Sequence, residues 1–68
     1  MSFDIGDKVI DAKSVSGLDS LPGEIVRISR EINYPGYGIA RKIWWVPLGK
    51  SPEIWSDNWS WDFELEVW

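Results

Sequence analysis

The chain contains neither cysteine nor histidine. Without thiols it has no disulfide staple, no thiolate zinc site and no cysteine nucleophile, and its redox compartment stays unassigned. Without imidazole, a nucleophile–base pair cannot be assembled, and a metal site would have to rest on carboxylates alone. The glycine element at residues 36–38 lacks the Lys-Ser/Thr pair and the following helix of a phosphate loop, so it reads as a hairpin turn and not as a phosphate cradle. No cofactor or metal is expected, and catalysis ranks far behind binding. No window approaches the apolar length that crosses a bilayer, and the opening seven residues carry no basic leader. We therefore expect an unprocessed cytoplasmic protein with no membrane partner.

What is present points to strands. At 68 residues the chain is expected to form a single domain over 1–68, one small enough to bury only about 60% of its unfolded surface. Short β-branched or aromatic runs alternate with Gly, Pro, Asn, Asp and Ser throughout, and no long 3.6-residue period appears. Residues 3–6 read as a lead-in whose Ile5 plugs one end of the core. Strands are expected over residues 8–12, over 24–31 with Val26 and Ile28 inward, and over 37–46. A fourth is expected around 53–56, and a last over 64–68 with Leu65 and Val67 inward. Residues 13–21 form a loop, and 58–63 have room for one tight 3-10 turn. In 37–46, alternation puts Tyr37, Ile39, Arg41, Ile43 and Trp45 on one face and Gly38, Ala40, Lys42, Trp44 and Val46 on the other, as in a strongly bent strand. Trp45 is the core member of the adjacent pair, which leaves Trp44 outside.

Phe3, Ile5, Gly6, Asp7 and Val9, then Pro22, Gly23, Ile25, Val26 and Ile28, and finally Phe63, Leu65 and Val67 follow an order that resembles the Src-homology-3-like small barrels. Tudor-like chromatin readers and a small barrel protein of photosystem I share this grammar, and residues 58–67 look most like the latter. The resemblance implies an all-β fold: a small five-stranded, highly bent antiparallel SH3-like barrel with a short 3-10 turn before the last strand. It also implies a non-catalytic domain that binds through one face and its loops. The loop at 13–21 has Asp19 as its one acid, unlike the acidic loop of the proline-peptide-binding members.

Four of the six tryptophans, Trp55, Trp59, Trp61 and Trp68, fall in the last 18 residues together with five acids and no Lys or Arg. All seven basic residues precede position 51, so the net charge of −4 is carboxy-terminal. A protein-binding surface is the leading expectation. Trp44, Trp55, Trp59, Trp61 and Trp68 would serve as anchors, with Asp57, Asp62, Glu64 and Glu66 selecting a partner protein with a basic surface. Such a design suits a small regulator, for example a phage-encoded inhibitor, acting as a monomer or weak homo-oligomer. Alternatives use the same residues differently. Tyr34, Tyr37, Trp55 and Trp59 are the types that build an aromatic cage for methylated lysine or another cation. The acids, joined by Glu53, would imitate a row of phosphates. Nucleic acid is disfavoured by charge, although Arg27, Arg30, Arg41 and Lys42 form a local basic set.

Overall fold

A computed structural model describes residues 3–11, 21–36 and 38–68. Among the described residues, seven strands form two antiparallel sheets: β1 (Lys8–Asp11), β2 (Gly23–Ile28), β3 (Ile32–Tyr34), β4 (Gly38–Ala40), β5 (Lys42–Pro47), β6 (Trp59–Trp61) and β7 (Leu65–Val67). The larger sheet runs β6-β5-β2-β1-β7, and β3 with β4 makes a separate hairpin. The chain is all-β, as its turn-punctuated sequence implies. β6 and β7 lie at opposite edges, so the sheets are not closed into a barrel. The loop expected at 13–21 lies, up to residue 20, outside the described residues, as does Tyr37. Among the described residues, no helix is long and apolar enough to cross a membrane.

Four of the five strands of the larger sheet supply the apolar core. Val9 comes from β1, Ile25 from β2, Ile43 and Trp45 from β5, and Leu65 from β7, with Phe3 and Ile28 packed against them. β6 contributes Ser60, a buried hydroxyl that accepts a hydrogen bond from Trp45 Nε1 at 3.1 Å. The expected core position of Trp45 holds, at 6% exposure. Its ring packs directly over Gly23, where any Cβ would run into the indole and approach the Val46 carbonyl oxygen to 2.8 Å.

A bulge in β2 overturns the expected parity of that strand. Ile25 pairs with Trp45, but Arg27 pairs with Trp44, so Val26 is the extra residue. Ile25 is fully buried and Val26 is exposed, the reverse of the expectation, and after the bulge Ile28 turns inward opposite Ile43. The expected strand over 37–46 is divided at Arg41, whose carbonyl accepts the Asp62 N–H at 2.9 Å. β4 therefore belongs to the hairpin, where Ala40 is buried and Ile39 exposed, contrary to uninterrupted alternation. That hairpin closes through Pro35 and Gly36, the latter at φ 87°, a conformation a side chain disfavours.

Three further expectations are corrected. Ile5 is exposed, because Asp4 and Asp7 close a turn (Asp7 N–H to Asp4 O, 3.1 Å) that points it outward, with Gly6 at φ 97°. Residues 53–56 form turns instead of a strand: Trp55 N–H bonds back to Ser51 O and Asn58 N–H to Trp55 O, local pairs that leave no ladder. The 3-10 turn does precede the last strand, at Asp62–Glu64. Leu65 is buried, but Val67 at the sheet edge is 61% exposed and Phe63 is also exposed.

Two measurements check this packing. Gly23→Ala should lower stability by about 1–3 kcal/mol in urea unfolding, since neither the Trp45 ring nor the backbone can yield freely. Ser60→Ala should cost about 1–3 kcal/mol by stranding the indole N–H, and clearly less in a Trp45→Phe background where that donor is gone.

Candidate functional site

Pairing across β5 and β6 decides which indoles gather. Ile43 sits opposite Ser60, and both face the core. Their neighbours Lys42 and Trp44, opposite Trp61 and Trp59, therefore share the outer face. Trp59 and Trp61 meet edge to face with centroids 5.2 Å apart, and the Tyr34 ring lies 4.9 Å from Trp61. Phe63 stacks nearly parallel to Trp61 at 6.2 Å.

Two cations are laid into this aromatic face. Lys42 Nζ stands 4.5 Å from the centroid of Trp59 and 6.0 Å from that of Trp61. On the other side of Trp44, the Arg27 guanidinium carbon lies 4.6 Å over the ring. The order Arg27, Trp44, Trp59, Lys42, Trp61 is thus a continuous band across β2, β5 and β6. Each contact at a partly exposed ring contributes about 0.5–1 kcal/mol and restricts the rings to one arrangement. Trp44 and Trp61 are half-buried, and Trp59 is 38% exposed.

The remaining expected site residues are dispersed. Trp55 is half-buried and Asp57 exposed, both in the turns before β6. Glu66 on β7 is exposed opposite Ile10, and Trp68, 64% exposed, donates its backbone N–H to Lys8 O at 3.0 Å. These two occupy the far edge of the sheet from the indole band. Glu64 Oε1 accepts the Trp61 N–H at 3.0 Å, so this acid braces the turn. Asp62 lines a different feature, an open groove of about 400 Å³ with Phe3, Ile28 and Ile43 at its base and the Arg41–Glu31 ion pair (3.1 Å) on its wall. Of the four residues expected to form a cage, Tyr34 and Trp59 join through Trp61. Trp55 lies in the turns outside this cluster, and Tyr37 is outside the described residues.

Phe63 belongs to the aromatic face although sequence patterns alone did not assign it to the site, and Arg27 and Lys42, expected only as part of a basic set for nucleic acid, meet the indoles there. Alternation already puts Lys42 beside Trp44. Arg27 reaches Trp44 only because of the bulge, and Phe63 reaches Trp61 from within the 3-10 turn. Among the described residues, no group of three or more His, Cys, Asp or Glu is placed to hold a metal ion. No protein-family model, curated protein or solved structure matches the chain.

Replacing Lys42 by Met keeps the stem and removes the charge. We expect a loss of about 0.5–1 kcal/mol in urea unfolding and a shift in tryptophan emission, whereas Lys50→Met in the turn after β5 should leave both unchanged.

Proposed function

We propose that the chain is a non-enzymatic protein-binding module, a small regulator that docks a partner through the outer face of β5 and β6. The observation that carries this is the contiguous band of Trp44, Trp59 and Trp61 outside the core. A domain whose core is built largely from single aliphatic residues on each strand has no structural requirement for three indoles on its opposite face. Tryptophan is strongly favoured as an interface anchor because one rigid ring supplies a large contact area with little conformational entropy to lose. The cations that hold the rings in place before binding reduce that loss further.

The same topology supports reading the domain as an SH3-like small barrel. The last strand returns to pair with the first after a 3-10 turn, and the strands between form a meander interrupted by the β3–β4 hairpin. In this reading the band occupies an outer wall, and the open groove beside Arg41 marks one end. A cation-reading cage is the competing function. Lys42 stands where a ligand ammonium would sit, and a ligand would have to displace it.

Affinity capture from native host extract, comparing wild type with Trp59→Ala and Trp68→Ala, tests the site. Loss of the band's central ring should reduce partner recovery at least tenfold, as for an interface anchor worth about 2 kcal/mol or more. Trp68→Ala, at the opposite edge, should retain the partner. Equal recovery with all three proteins would refute the assignment.

A further inference from the structure

The indole band carries positive charge that no carboxylate among the described residues neutralises by an ion pair. Lys8 is paired with Glu24 at 2.8 Å and Arg41 with Glu31 at 3.1 Å. Among the described residues, the Lys42 ammonium and the Arg27 guanidinium meet indole rings instead. A ring quadrupole orients a cation but contributes no net charge, so the field of both groups persists above the face. Of the acids that the sequence places near these tryptophans, Glu64 accepts the Trp61 backbone N–H, Asp62 lines the groove, Glu66 lies at the far edge and Asp57 is exposed in the turn before β6; none of them forms an ion pair with Lys42 or Arg27.

We propose that this face receives an acidic, extended segment of a partner protein, with carboxylates on Lys42 and Arg27 and apolar side chains along Trp44 and Trp59. The inference rests on reading the band as a docking surface and adds the partner's charge. Its sign is opposite to the one expected from composition, because the cations and not the acids share the face with the rings. Electrostatic complementarity of this kind selects partners and speeds encounter. A single-stranded nucleic acid would match the charge, but it binds by stacking bases on free aromatic faces. Here Arg27 covers one face of Trp44, Lys42 lies over Trp59, and Trp61 is flanked by Tyr34 and Phe63. Two fixed charges suit two carboxylates better than a polyanion approaching a chain of net charge −4.

Tryptophan emission reports binding directly. The probes are a short peptide alternating Glu and Leu, its Lys–Leu counterpart and an oligothymidylate of similar length, each titrated at low and high salt. The Glu–Leu peptide should bind most tightly, with affinity falling as salt rises. Lys42→Gln and Arg27→Gln should each weaken it by about tenfold, the worth of one charge-assisted hydrogen bond, while Lys50→Gln binds as wild type. Unfolding midpoints of the variants confirm that each is folded. No response to the Glu–Leu peptide, tighter binding of either other probe, or undiminished binding by both charge-removing variants overturns the proposal. If Trp59→Ala abolishes binding but the charge-removing variants do not, the docking face stands and the charge assignment fails. If Trp59→Ala binds every probe as wild type does, the docking face fails as well.

Discussion

Two adjacent indoles on one strand cannot share a face, and this constraint organises the whole domain. On β5, Trp45 turns inward onto Gly23 and donates its N–H to Ser60, while Trp44 turns outward beneath Arg27. The inward ring sets the spacing between β2, β5 and β6, because only glycine fits beneath it and only a small hydroxyl residue both fits beside it and satisfies its donor. The outward ring then lines up with Trp59 through the same pairing that places Ser60 in the core. Core and candidate site are consequently two sides of one register. A slip of a single residue would exchange them.

The bulge at Val26 is the second decisive feature. It lets β2 place both Ile25 and Ile28 in the core, an odd separation that regular alternation forbids, and it turns Arg27 outward at the position facing Trp44. Without it the outer face would hold one cation instead of two. The local charge of the site thus depends on a backbone irregularity more than on composition. A chain that is acidic as a whole consequently sets two cations against its most aromatic surface.

Strand character was legible from alternating β-branched and aromatic runs, and so were the turns at Pro35-Gly36 and the tight turn before the last strand. The choice between Trp44 and Trp45 was legible as well, since Ile43 lies two residues from Trp45. Other assignments failed for identifiable reasons. Residues 53–56 look like a strand, but backbone groups on either side of Pro52 find partners three and four residues away. Val67 has the parity of a core residue, yet it sits at a sheet edge where burial is incomplete. Phe63 falls within the 3-10 turn, whose geometry points it at Trp61.

The sequence by itself determined the all-β character, the excluded chemistries and the excess of indoles over what a small core can take, because composition and two-residue periodicity are local properties. Alternation put Lys42 beside Trp44, but tertiary structure decided that it meets Trp59 and that Arg27 covers Trp44. The acids are neighbours of the tryptophans along the chain, but Lys42 and Arg27 are their neighbours across the sheet. Pairing of β2, β5 and β6 brings together residues from 27 to 61, a distance in sequence that no local pattern encodes.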